Sequence, residues 1–209
     1  MLGDLAAAQL GRPVHVTNLA TNDSLTPGGL LERVMSSDTY IDAITAADAV
    51  TVQVGFNDWQ GACYWPGHDE CVAAGAATVV DNLDQIPDRI GELRGARPTQ
   101  IWVIGYFRFH DRQPDVRSYW ALSNETEPQF YPFYTAALQS FNGDMCDVAE
   151  VHAATCVDLA EVFNGPERDQ DAAELLGSDH GHPSQAGHEL IAATIDATGY
   201  GPLGPQAGL

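Results

Sequence analysis

A chain of 209 residues with 44% hydrophobic content is long enough to bury one core, and no apolar run approaches the roughly 18 residues of a membrane-spanning helix. Its 29 acidic residues face nine basic ones, all of them arginine, and the formal charge of -20 makes phosphate backbones and anionic membranes poor partners. Acidity of this kind also serves solubility or salty surroundings, so it says little about a substrate.

Taken in order, residues 2–10 read as an amphipathic helix stopped by Gly11 and Pro13. Residues 14–20, Val14-His15-Val16-Thr17-Asn18-Leu19-Ala20, alternate and then turn apolar, which predicts a strand, and Thr21-Asn22-Asp23-Ser24 is the turn that leaves it. Pro27-Gly28-Gly29 leads into a helix over residues 30–34, with a second short helix over residues 40–46. The apolar strand at residues 49–54 runs into a glycine turn carrying Gly55, Asn57 and Asp58, at the kind of strand end where open α/β sheets place their sites.

A loop over residues 59–75 follows, with Tyr64, Trp65 and His68; its aromatics either contact a substrate at the site rim or pack beneath the loop. The spacing of Val79, Leu83, Ile86, Ile90 and Leu93 predicts a helix over residues 78–93, kinked at Pro87. Residues 100–106 form a buried strand. From Phe107 to Gln129 the composition shifts to Arg, Asp, Pro and aromatics, an insertion that forms either a lid or a surface loop, and His110 within it reads as an ordinary loop histidine. Residues 130–151 are helical, with Phe133, Ala137, Leu138 and Phe141 on one face, and residues 155–159 are a short strand. No repeat and no second domain interrupts residues 1–209.

Four cysteines form two local pairs, Cys63 with Cys71 and Cys146 with Cys156. Neither has C-x-x-C spacing, and an even count with close partners reads as two disulfides of an exported protein, each contributing ~2–3 kcal/mol on the loop-entropy model. The first residues lack the charged start and apolar core of a signal peptide. Either a signal has been removed or the protein is cytosolic with free thiols; secretion is the expectation.

Near the C-terminus, Ser178-Asp179-His180-Gly181-His182-Pro183 places a carboxylate three residues before an imidazole, and Pro183 opens an apolar run that reads as a helix, proline suiting a first helical position. A loop that delivers Asp179 and His182 together is an acid/base device, since the carboxylate orients the ring and stabilises the imidazolium formed when it takes a proton. A rival reading makes Asp179, His180, His182 and His188 metal ligands, although no matched second cluster accompanies them. No metal and no cofactor is expected.

Gly55-x-Asn57-Asp58 and Asp179-x-x-His182-Pro183 resemble blocks III and V of the SGNH (GDSL-type) serine hydrolases, in matching order and in the expected strand and helix context, so the resemblance spans nearly the whole chain. It implies a three-layer α/β/α sandwich of flavodoxin-like type with a mostly parallel sheet. It also implies hydrolysis of a carboxylic ester, acetyl or short acyl, on a small-molecule, carbohydrate or lipid substrate. In the roles so implied, His182 is the general base, Asp179 orients it, and Asn57 with backbone N–H groups near Gly55 and Asp23 holds the oxyanion.

The departure lies in block I, whose Gly-Asp-Ser normally precedes such a first helix and strand. Either residues 14–20 are the block II strand and the first strand is lacking, or Asn22-Asp23-Ser24-Leu25-Thr26 is a variant nucleophile block with Ser24 as the nucleophile. Ser24 as an ordinary turn serine competes with the second alignment. A lacking strand leaves a gap for a swapped segment, a homodimer or a rearranged sheet to fill. A non-catalytic binding protein that keeps the pocket is the remaining alternative.

Overall fold

The computed structural model of the chain describes residues 1–21, 27–55, 67, 69–108 and 130–204. Their elements run α1 (Leu2–Leu10), α2 (Pro27–Ser36), α3 (Asp38–Ala46), β1 (Ala49–Val52), α4 (Asp69–Arg94), β2 (Gln100–Ile104), α5 (Phe130–Val151), β3 (Thr155–Val157), α6 (Leu159–Asn164) and α7 (Gln185–Ala197), with 3₁₀ turns at Ala173–Leu175 and Gly201–Leu203. The strands form one parallel sheet in the order β1-β2-β3, with Val50 opposite Ile101 and Val103 opposite Cys156. Parallel strands buried on both faces need apolar side chains of both parities, and β2 supplies them. Val103 enters a core with α2, α3, α4 and α5, while Trp102 and Ile104 enter a second core with α1, α6 and α7. The result is an α/β/α sandwich.

The helices follow from spacing and caps. Val79, Leu83, Ile86 and Ile90 lie three to four residues apart and form the buried stripe of α4. Tyr134, Leu138, Phe141, Met145 and Val148 do the same on α5. Asp158 caps α6 by accepting from the Ala160 N–H at 2.9 Å. Gly11 ends α1 with φ of 63°, a left-handed turn that costs glycine little. Cys146 on α5 and Cys156 on β3 lie at disulfide distance, with Cα atoms 5.1 Å apart. At the start of the sheet the buried Arg94 guanidinium donates to Thr45 O at 2.8 Å, Thr99 Oγ1 at 2.8 Å and Asp48 Oδ1 at 3.1 Å, tying the ends of α3 and α4 to β1 and β2.

At the opposite end, β2 leaves the sheet through residues 105–108, where two buried asparagines take the place of strand neighbours. Asn142 of α5 accepts from the Tyr106 N–H at 2.9 Å and donates to Tyr106 O at 2.7 Å. Asn164, at the end of α6, accepts from the Arg108 N–H at 2.7 Å and donates to the Arg108 and Gln170 carbonyls, each at 2.9 Å. Buried backbone groups must be paired somewhere, and here two side-chain amides pair them.

Several sequence expectations are corrected. Residues 14–20 form no strand: Val16 is 63% exposed, and among the described residues β1 pairs with β2 alone. Alternation specifies a strand only where a neighbouring strand receives it, and the Asn18 side chain takes the Ala20 N–H at 2.9 Å, a donor that a ladder would need. The helix expected over residues 78–93 begins at Asp69 and takes in Cys71, since Asp69 and Glu70 suit the positive end of a helix and an alanine-rich turn continues it. The third strand stops at Val157 because Asp158 is spent as a cap. Phe107 and Arg108 belong to the core instead of to the insertion: Phe107 stacks on Phe163 with centroids 3.9 Å apart, and Arg108 is buried. His68, His110, Tyr64 and Trp65 lie outside the described residues.

Replacing Asn164 by Leu keeps the branched shape but strands the Arg108 N–H and two carbonyls in the interior. The expected loss is about 3 kcal/mol, read as a lower urea midpoint with an unchanged m-value. Val162→Ala, on the exposed side of the same helix, should shift stability by no more than ~0.5 kcal/mol.

Candidate active site

The loop that carries Asp179 and His182 is held from both ends. On the incoming side the Arg108 guanidinium, buried under residues 165–172, donates to Asp169 O at 2.7 Å and Asp171 Oδ1 at 3.1 Å. The loop then closes on itself: Leu176 bridges Pro183 in antiparallel fashion, the Gly177 N–H donates to His182 O at 2.8 Å, and the Ser184 N–H donates to Leu175 O at 2.8 Å. His180 turns the tip with φ of 55°, a conformation in which histidine is enriched several-fold among non-glycine residues. On the outgoing side, Ser184 caps α7 by accepting from the Gly187 N–H at 3.2 Å.

The helix therefore starts two residues later than the proline-first reading expects. Pro183 is engaged in the bridge to Leu176, so the capping position falls to Ser184. Gly187 is needed at the contact between α7 and the preceding 3₁₀ turn, because a Cβ there would run into the Leu175 carbonyl oxygen.

At the tip, one carboxylate organises the turn. Asp179 Oδ1 accepts from the Gly181 N–H at 3.1 Å and the His182 N–H at 3.0 Å, while Oδ2 sits 2.5 Å from His182 Nδ1. The three-residue spacing seen in the sequence becomes a short ring of hydrogen bonds. Burial pushes the Asp179 carboxyl up, but the bonds from the His182 ring and the two N–H groups, together with the ring's charge, outweigh it and hold the group below its ordinary 3.8. The His182 side chain is 79% exposed and that of Asp179 is 35% exposed, so the ring is anchored at Nδ1 and open to solvent elsewhere. Nε2 has no hydrogen-bond partner among the described residues.

The position of this loop relative to the sheet follows from α7. Past its C-terminal end, Thr198 Oγ1 accepts from Trp102 Nε1 at 2.9 Å and Tyr200 packs edge-on to Trp102, beside the start of β2. Thirteen residues of helix span about 20 Å, which carries Ser184 to the other end of the sheet, where the strands finish. Gly55 lies three residues past the end of β1 on that same rim. It has φ of 118°, and a Cβ on it would stand 2.5 Å from Val79 Cγ1 and 3.2 Å from Phe141 Cζ, so both backbone and packing call for glycine. Gln53 Nε2 donates to Gly105 O at 3.2 Å and ties the ends of β1 and β2 together beside it.

Of the residues read from the sequence, Asp179 and His182 come together and Gly55 lies on the shared rim. Ser24, Asp23 and Asn57 lie outside the described residues, as does Cys63, whereas Cys71 is disulfide-bonded. Asp179, His180, His182 and His188 do not converge: among the described residues no three or more His, Cys, Asp or Glu side chains are gathered to hold a metal ion. Arg108, Asn164 and Gly187 escaped sequence reading although they place the loop. The run Ser184-x-x-Gly187 carried a capping signal; Asn164 and Arg108 act only through partners distant in the chain.

Comparison with known proteins agrees with this geometry. The crystal structure of LAE5, an alpha/beta hydrolase enzyme from the metagenome of Lake Arreo, Spain, superposes with a TM-score of 0.58 at 19% identity, covering 94% of this chain and 78% of that one, a likeness of fold. No curated protein matches the sequence. Residues 1–195 match the family model described as GDSL-like Lipase/Acylhydrolase, and with nearly the whole chain inside that match, the protein belongs to the GDSL-like lipase/acylhydrolase family.

Proposed function

We propose that the chain is a serine esterase of one domain that hydrolyses acetyl or short-chain acyl esters, with His182 as general base and Asp179 as the group that orients it. The observation that carries this reading is the 2.5 Å contact between Asp179 Oδ2 and His182 Nδ1 on a solvent-facing loop at the strand ends. With Nδ1 engaged by the carboxylate, Nε2 is the nitrogen that takes the proton. As the serine oxygen attacks the ester carbonyl carbon, its proton passes to Nε2 and the imidazolium is stabilised by Asp179. The same proton then goes to the departing alkoxide, and water repeats the cycle on the acyl-enzyme. By resemblance Ser24 is the nucleophile, and Asn57 with the N–H groups of Gly55 and Asp23 receives the oxyanion.

Export, with disulfides Cys63 to Cys71 and Cys146 to Cys156, belongs to the same proposal. It is supported by the bonding distance of the second pair. No helix among the described residues is long and apolar enough to cross a membrane.

With p-nitrophenyl acetate as substrate, His182→Ala should lower kcat/KM by on the order of 10³-fold or more, and full retention would overturn the assignment. Asp179→Asn carries no charge to stabilise the imidazolium, and its amide NH2 can turn His182 to the wrong tautomer, so its expected loss in kcat is of similar order at unchanged KM. Ser24→Ala, paired with a fluorophosphonate label and peptide mapping, tests the nucleophile: an unlabelled, inactive variant supports Ser24, while an active one eliminates it.

Asp179 also predicts a pH dependence of stability. A carboxyl lowered in the folded state stabilises the fold above its unfolded value and loses that contribution as pH falls through the lowered value. The wild-type advantage over Asp179→Asn should therefore be present above pH 3.8 and disappear below it, as read from paired urea titrations.

A further inference from the structure

The outer surface of α4 and α5 carries an open trough of about 630 Å³ that shares no lining residue with the dyad loop. Small side chains, Ala73, Ala76 and Ala77 of α4 and Ala136 and Ala137 of α5, leave room between the helices, and Phe133 and Phe141 of α5 add aromatic surface to the lining. Val72, Val80, Val148 and Val151 form apolar walls, and Val151 is among the exposed large hydrophobic residues. The rim is acidic: Asp69, Asp81 and Asp84 stand on one side and Asp144 and Asp147 on the other, with no arginine among the described lining residues.

Among the described residues no arginine matches these charges, and of the rim carboxylates only Asp84 bonds a histidine, His152 at the end of the trough. Helix α5 contains no basic residue at all, and of the two arginines on α4, Arg94 is buried at the sheet end and Arg89 pairs with Glu92 at 2.9 Å. Burial against the apolar wall, reinforced by the charge of Asp147, pushes the Asp144 carboxyl above its ordinary range. At the far end His152 lies between Asp84 and Asp88, its ring nitrogens 2.8 and 3.0 Å from their carboxylates, and it locks the two helices at the spacing that keeps the trough open.

We propose that this trough is a docking groove for a basic amphipathic helix of a partner protein, whose apolar face enters over the alanines while its lysine or arginine side chains meet the aspartate rim. Helix-in-groove recognition needs an apolar channel of the right length with a rim of fixed sign. From Asp69 to Asp84 the α4 wall runs about 22 Å, the length of some four helical turns. A second copy of this chain is the wrong occupant, since a molecule of charge -20 would add carboxylates to the rim instead of neutralising it.

The test uses the full chain and a labelled 18-residue Leu/Lys peptide with its leucines at i, i+3, i+4 and i+7, beside an isomer of the same composition with the leucines scattered. Fluorescence anisotropy should show the amphipathic peptide binding at least ~10-fold tighter, since the two peptides differ only in the apolar face. Ala77→Trp and Ser140→Trp fill the trough from exposed positions without changing charge, and each should bring the amphipathic peptide down to the level of its isomer. Asp144→Asn with Asp147→Asn should weaken binding and flatten its salt dependence. Circular dichroism confirms that every variant is folded. Equal binding of the two peptides, or tryptophan variants that bind as the wild type does, would reduce the interaction to diffuse attraction and overturn the groove. Dodecyltrimethylammonium binding as tightly as the peptide, with the same sensitivity to both tryptophans, would overturn the helical occupant in favour of a small cationic amphiphile.

Discussion

Two asparagine side chains bear the constraint on which the rim of this sheet depends. Once β2 runs past its last bond to β3, from the Gly105 N–H to Val157 O, Tyr106 and Arg108 carry N–H and C=O groups that no strand pairs, and leaving such groups bare in the interior would cost a few kcal/mol each. Asn142 and Asn164 present the donor and acceptor that a neighbouring strand would have offered. Because Asn164 also bonds Gln170, and because Arg108 reaches Asp169 and Asp171, the chain leaving β2 and the loop approaching Asp179 are fixed to each other. The dyad loop thus rests on buried polar contacts, although the dyad itself is exposed.

This arrangement divides rigidity from access. The carboxylate of Asp179 is committed to three donors within its own turn, so the His182 ring is oriented locally and needs no deep pocket to hold it. Its open nitrogen lies on the rim where β1 also ends, three residues before a glycine that tolerates no side chain. Under the proposed function, an acyl ester approaching that rim would meet a base already oriented, and preorganisation of this kind lowers the reorganisation required in the transition state. Membership of the GDSL-like lipase/acylhydrolase family supports hydrolytic chemistry in general.

Charge has a different distribution from catalysis. Most carboxylates of this acidic chain decorate helix surfaces, where they are well solvated and of little consequence to stability. Along α4 and α5 they border an apolar trough, and there the same charge acquires a direction. Acidity that seemed uninformative in the composition becomes a recognition feature once two helices bring Asp81, Asp84, Asp144 and Asp147 around one channel.

Much of the protein was legible in its sequence, for a physical reason: local signals are complete within a few residues. The three-residue step from Asp179 to His182, the helical spacing of residues 130–151 and the apolar runs of β1 and β2 each specify their local structure without distant help, although β1 stops at Val52 and β2 at Ile104, two residues short of the runs at 49–54 and 100–106. The resemblance to block III and block V rests on the same local chemistry. Tertiary structure decided what depends on a neighbour. The alternation at residues 14–20 promised a strand, yet a strand exists only through pairing, and β1 takes a partner on one side alone among the described residues. Asn164, Arg108 and Gly187 carry no local signal of their roles, because what they satisfy lies 56 residues, 63 residues and one tight contact with the preceding 3₁₀ turn away.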